Sequence, residues 1–399
     1  MLLSFPNVRL RIIALLFLVS IFVGAQKIET VNGVRIVHNK KGGQWGANLE
    51  VKLELVRTIG GLDAEENLSF HEPSNIVRDS VGNLYILDSG NNRIQKLDPQ
   101  GKFIKTIGRK GQGPGEFQGA RSMDIDEQNN LFVFDVRSWR IEVLSSEGKS
   151  LRTIKFRAFS QNQIRLLKPG LIAKGGCLDS GIMYGTLKKL PKLLEMVDLG
   201  GKTKLAFGEA TDYKDGNTNW HANHFYLDTD AEKNILLSFM VQNRIEKYSP
   251  DGKLLWGMDR PLNYGTDVIE KGSISQRRGY VGVQGPKMNI VSRGIAADGK
   301  GRIWVITLCR QLADEERAPG GSVVTTDAGA VSRKIPSQPK VVKGDVYKLE
   351  IFSPDGVLLG EIPLTHHAHG IRIFGNNLFI LESYNTIFYQ YKIVENESH

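Results

Sequence analysis

The chain has 399 residues, 41% of them apolar and 24% charged, with a formal net charge of +9 at pH 7. Its 43 glycines, set among many Val, Ile, Phe and Tyr, exclude a disordered or collagen-like chain and fit a β-rich globular one. The basic residues are scattered among acids, and two of them, Arg9 and Arg11, fall in a leader, which argues against a nucleic-acid surface.

Residues 1–25 read as an export signal: Arg9 and Arg11, the apolar run Ile12 to Val23, then the small residues Val23-Gly24-Ala25. The run is shorter than the about 20 residues a membrane span needs, so cleavage after Ala25 is expected, leaving a secreted or periplasmic chain without a span. An uncleaved anchor is the alternative. Residues 26–46 follow as an N-terminal arm, a short hairpin or loose segment marked by Asn32-Gly33 and Gly42-Gly43. Leu49 to Gly60, ending Leu55-Val56-Arg57-Thr58-Ile59-Gly60, echoes a strand that recurs later as Phe103-Ile104-Lys105-Thr106-Ile107-Gly108.

The clearest unit is Pro73 to Gly108. Gly82-Asn83, Gly90-Asn91-Asn92 and Asp98-Pro99-Gln100-Gly101 are turn signals, because Gly and Asn tolerate positive φ and Pro presets a turn. They cut the stretch into a meander of four short strands. Its second strand, Leu84-Tyr85-Ile86-Leu87, is apolar on both faces, so the sheet needs a copy of itself on either side. Copies follow at 121–156, 163–208, 223–257, 292–362 and 369–394, the fifth interrupted by a polar insert at 310–343. The third unit has lost its turn residues, and the insert reads either as a lid or as a bland surface loop. The sixth unit lacks a fourth strand, and residues 49–60 are a fourth strand without a first three. The expected fold is therefore all-β, a six-bladed β-propeller over 47–394 with four-stranded antiparallel blades, its last blade completed by the N-terminal strand.

Asp88-Ser89-Gly90-Asn91-Asn92-Arg93-Ile94, preceded by Gly82-Asn83-Leu84-Tyr85-Ile86 and followed by the linker Gly113-Pro114-Gly115-Glu116-Phe117, resembles the NHL repeat of six-bladed propellers. It resembles in particular the secreted bacterial proteins of that class, most of which have no assigned activity. The resemblance is specific for fold and says little about chemistry, because this scaffold hosts lyases, lactonases and binding modules. Cys177 and Cys309 fall in different repeats and are expected as free thiols, with a bridge as the alternative; they are too few for a zinc or iron-sulfur site.

In such propellers the first strand of each blade lines the central channel. Aligning the units puts Ser74, Asn75, Arg121, Ser122, Gln163, Asn223, His224, Arg293 and His369 at one mouth, with His71, His221, His366 and His367 slightly further out. The candidate ligand-binding set is Asn75, Arg121, Asn223, His224, Arg293 and His369. Related amidating lyases hold a channel metal with three His from separate blades, which makes His71, His224 and His369 the candidate zinc ligands. A lactonase-like site would instead hold calcium with a carboxylate and Asn residues, for which Glu72, Asn75 and Asn223 are the nearest groups. Asp79, Asp126, Asp228 and Asp298 recur at the end of the first strand and read as turn acids; Asp88 with Arg93, and Asp135 with Arg140, read as polar clasps within a blade. No Ser-His-Asp spacing, phosphate-cradling Gly loop or HExxH pattern is present. The sequence thus points to a secreted, non-catalytic binding or scaffold module for a protein, peptide or glycan partner. A metal-dependent lyase or hydrolase at the channel mouth is the alternative.

Overall fold

Turn acids set the strand ends. In the computed structural model Asp79 accepts the N–H groups of Val81 (3.1 Å) and Asn83 (2.7 Å), with Gly82 at φ +96° between them. Asp126 closes the same turn through Gln128 and Asn130, and Asp298 through Lys300 and Arg302. In the fourth blade the turn acid is Asp230, which accepts from Glu232 and Asn234 at 3.0 and 2.9 Å. Asp228, expected in that role, sits two residues earlier on an inward-facing position of the strand and has another partner set, described below.

The structure describes residues 26–156, 163–176, 180–183, 185, 189–277, 280–313, 316, 323–325, 331–333 and 343–396. The expected leader, Cys177 and much of the insert lie outside them. Six antiparallel sheets form the ring, their innermost strands being Pro73–Arg78, Ala120–Ile125, Ile164–Leu166, Phe225–Thr229, Ser292–Ala297 and Gly370–Phe374. Each innermost strand touches those of its two neighbours in cyclic order, so the ring is closed. The fold is an all-β, six-bladed propeller. Among the described residues the helices are two short ones, Ser180–Met183 and Gly216–Ala222.

Six apolar clusters hold the ring, one at each junction between blades. Val77, Tyr85 and Leu87 meet Met123 and Val133 between blades one and two, and Ile76 and Ile86 meet Phe379 and Phe388 between blades one and six. The sheets are apolar on both faces because each serves two junctions. Between blades four and five, Leu236 and Ile245 face Ile303 and Val305. Polar clasps support the loops. Asp88 pairs with Arg93 at 2.8 Å as expected, but Arg140 leaves Asp135 and donates instead to the carbonyls of Gln112, Gly113 and Glu116 in the linker. Asp135 accepts from the N–H groups of Gln118 and Gly119.

Val51–Gly60 is the fourth strand of the last blade, paired antiparallel with Ile387–Glu395 along its length with Val56 bulged out. Its buried ends, Val51 and Ile59, belong to the clusters on the two sides of that blade. The arm before it is ordered rather than loose. Lys27–Val31 and Val34–His38 form a hairpin whose second strand runs parallel to Leu254–Asp259 of the fourth blade. His38 Nδ1 lies 2.6 Å from Asp259. The chain then crosses the fifth blade: Asn39 bonds the backbone of Gly356 and Leu358, and the N–H of Trp45 reaches the Leu359 carbonyl at 2.8 Å. Residues 26–60 therefore run along the outer edges of blades four, five and six.

Two prominent features outside the blades were silent in the sequence pattern. Asp215 caps Gly216–Ala222 by accepting from the Thr218 N–H at 2.7 Å, and Ser273–Arg277 pairs with Tyr280–Gln284 as a hairpin before the fifth blade. Within the insert, Val323–Thr325 pairs with Val331–Arg333. Its base is fixed by Arg310, which makes two hydrogen bonds to the buried Glu316 at 2.6 and 2.7 Å and pairs with Asp345.

Placing a charge in the clasp tests closure. Ile59→Asp would bury an unpaired carboxylate at a junction and should cost about 3–5 kcal/mol. Circular dichroism should show one cooperative transition moved to lower temperature for the entire ring; an unchanged melt would show that the strand does not hold the ring shut.

Candidate functional site

The rim is built by irregularities at the start of the innermost strands. Pairing skips one residue between Pro73 and Asn75, between Ala120 and Ser122, and between Ser292 and Gly294. The skipped residues are Ser74, Arg121 and Arg293. A bulge of this kind re-aims a side chain, and here it does so at one position in three different blades.

Asn75, Arg121, Gln163, His224 and His369 come together around a cavity of about 370 Å³ in the channel mouth, with Arg165 and Arg372 deeper in. Ile76, Ile295, Ile371 and Leu381 supply apolar wall. The lining contains three arginines and no carboxylate. The acids stand behind the guanidiniums. Asp228 Oδ1 accepts from Arg165 at 2.8 Å and from Arg372 at 2.7 Å, and Asp124 lies 3.5 Å from Arg372 while accepting the Leu166 N–H. These four charges come from the innermost strands of blades two, three, four and six and cross the channel as a plug. At the rim, Glu72 holds Arg121 at 3.2 Å. Asn75 Oδ1 is buried without a hydrogen-bond partner.

The two histidines of the cavity have opposite tautomers. His224 Nδ1 lies 3.0 Å from the His221 carbonyl, which can only accept, so Nδ1 carries the proton and Nε2 keeps its lone pair. His369 Nδ1 accepts the Ser383 N–H at 3.0 Å, so its proton is on Nε2. Burial lowers the pKa of both rings. For His224 the hydrogen bond to the His221 carbonyl partly offsets this, while for His369 the Arg293 guanidinium adds to it, taking it well below the ordinary 6.5. Both are therefore neutral near pH 7, one presenting an acceptor and the other a donor.

Other expected residues are placed elsewhere. Asn223 is fully buried and does not line the cavity; its amide accepts from the Thr211 N–H at 2.8 Å and donates to the carbonyls of Thr211 and Asn219, tying the end of the short helix. His71 packs against Gly90 and lies outside the cavity lining, its N–H given to Asp88. Hence His71, His224 and His369 do not assemble, and among the described residues no three His, Cys, Asp or Glu side chains form a metal-holding group. The calcium arrangement also fails, since Asn223 points away and Glu72 engages Arg121. Arg293 sits beside the cavity, next to Tyr226 and Tyr347, rather than in its lining. His366 stacks on Tyr389 at 3.9 Å and meets the Tyr391 hydroxyl at 2.7 Å. Arg165, Arg372 and Asp124 were missed; the available signal was a charged residue inside an apolar innermost strand, as in Ile164-Arg165-Leu166 and Ile371-Arg372-Ile373.

Two measurements check this electrostatic picture. Asp228→Asn leaves two buried guanidiniums without their shared carboxylate and should destabilise by about 3–5 kcal/mol, seen in urea unfolding. In nitrogen NMR, His224 should show the Nδ1–H tautomer and His369 the Nε2–H tautomer, with neither protonating until the pH is below 6.5. Because the unfolded chain takes up these protons first, the pair's contribution to stability is complete above that value and declines as the pH falls below it.

Comparison with known proteins bears on the fold. Residues 47–168 match the model of a family described as a 6-bladed beta-propeller, DUF5128. No curated protein gives a significant match. Among solved structures, the chain is similar to a DUF4221 family member from Bacteroides vulgatus, with 13% identity and a TM-score of 0.56 over 87% of this chain and 99% of that one. It is similar to a Bacteroides fragilis protein described as exported, with 11% identity and a TM-score of 0.55 over 91% and 100% of the two chains. A third is the PQQ-bound aldose sugar dehydrogenase of Streptomyces coelicolor, with 10% identity and a TM-score of 0.50 over 86% and 98%. At such identities these likenesses show the propeller fold alone.

Proposed function

We propose that the chain is an exported NHL-type propeller whose channel mouth binds the polar end of a peptide or glycan. The observation that carries this reading is the cavity of about 370 Å³ in which hydrogen-bonding groups of both kinds converge from several blades. Arg121 and the His369 Nε2–H donate; His224 Nε2 and the unpartnered Asn75 Oδ1 accept. A ligand rich in hydroxyl or amide groups matches that mixture, and the isoleucine wall removes water from around it. The volume fits one sugar ring or one to two amino-acid residues, so a longer chain would enter by its end.

A second reading rests on the tautomers. A lone pair on His224 and a proton on His369 in one cavity are also what metal-independent acid–base chemistry needs, as in the elimination step of a lyase.

The test is calorimetry and thermal shift of the mature chain against monosaccharides, disaccharides and tripeptides. A binder should lose about 10–100-fold in affinity with Arg121→Ala, since a charge-assisted hydrogen bond contributes about 1.5–3 kcal/mol. His224→Ala should weaken binding less, and should abolish product formation if the second reading holds. A panel with no binder, or binding indifferent to both substitutions, would remove the channel mouth from consideration.

A further inference from the structure

Beside the channel mouth, between blades five and six, four buried polar atoms have no hydrogen-bond partner: Nδ1 and Nε2 of His367, the Tyr347 hydroxyl and Arg293 Nε. His367 is 0% exposed and Tyr347 1%. Folded proteins rarely leave one such atom unsatisfied, and a group of them marks a place built for something else to bond. The His367 ring lies 5.5 Å from that of Tyr347 and 5.9 Å from that of His369. Arg293 reaches the same spot from its bulge, its guanidinium close to the Tyr347 and Tyr226 hydroxyls while its Nε stays unpartnered.

Charge identifies what is missing. Arg165 and Arg372 share Asp228, Arg260 has Glu350, and Arg302 has Asp298 and Glu395. Arg293 forms no ion pair among the described residues; its guanidinium meets the neutral Tyr226 hydroxyl, with those of Tyr347 and Tyr384 nearby. Glu316, the acid facing His367, is already held by two hydrogen bonds from Arg310. A neutral imidazole brings one donor, the hydroxyl a second and Arg293 Nε–H a third. Three donors, one of them the uncompensated guanidinium's own, fit an acceptor-only anion, and a planar carboxylate matches a guanidinium edge.

We propose that Arg293, Tyr347 and His367 form a carboxylate-binding subsite opening off the channel mouth past His369, so that the ligand is an acidic sugar or a peptide end bearing a free carboxylate. The three residues adjoin the cavity, since His369 and Tyr226 line it and both lie close enough to Arg293 for its charge to bear on them. The identity of the ligand rests on the reading of the mouth given above; the anion site itself does not.

Calorimetry of the mature chain with glucuronate, glucose and acetate tests it. Glucuronate should bind at least about tenfold more tightly than glucose. Tyr347→Phe and His367→Leu should each reduce that preference about three- to tenfold while leaving the ligand-free melting temperature unchanged or higher, because each removes unsatisfied buried atoms. A purely structural role would lower the melting temperature and leave the preference intact, and equal binding of glucuronate and glucose would equally overturn the subsite. Sugar binding that depends on Arg121 but not on Tyr347 sinks the subsite and keeps the mouth. Acetate binding that depends on Tyr347, without any sugar or peptide binder, keeps the subsite and sinks the mouth.

Discussion

A four-stranded sheet with two apolar faces cannot exist alone in water, and everything in this molecule follows from that constraint. Each blade buries Val, Ile, Leu and Phe on both sides against its neighbours, so stability accrues at six junctions rather than in one core. A ring of this kind has no end blade with a spare face. It does have a seam, and the seam is closed by backbone hydrogen bonds between Val51–Gly60 and Ile387–Glu395. The belt ahead of that strand spreads the seam over three blades.

The same geometry explains why chemistry collects at one mouth. Innermost strands converge on the axis, and their starts are free of the pairing rules that govern the blade interiors. Bulges at Ser74, Arg121 and Arg293 exploit that freedom, turning side chains toward the mouth without disturbing the sheets behind them. Deeper in, Arg165, Arg372, Asp124 and Asp228 close the channel with balanced charge, making the mouth a pocket rather than a pore. Two histidines of opposite tautomer then give the pocket a direction.

The fold was legible because its determinants are local and repeated: turn acids, Gly-Asn pairs and apolar second strands recur at matching offsets. Asp79, Asp126 and Asp298 do what their spacing says. Asp228 misled because the fourth blade carries an Asp two positions on, and in a strand such a shift keeps the same face while changing the neighbours. The site was legible only in part. Asn75, Arg121, Gln163, His224 and His369 meet in the cavity because blade alignment alone decides where a strand begins. Asn223 and His71 did not, since whether a rim side chain faces inward depends on helix ends and loop packing that no repeat encodes. Orphaned atoms such as those of His367 arise only from tertiary packing, which no repeat pattern records.

The seam also fixes an order of events. Ile59 is made early and Phe388 late, yet they are partners, so the seam cannot form until nearly all of the chain has emerged. Until then Val51–Gly60 is an unpaired edge and the first blade has one naked face. Blades one to five can stack as they appear, but the final gain in cooperativity arrives in a single late step with a high contact order. A chain so arranged stays incompletely folded while it is still being made and becomes rigid only on completion.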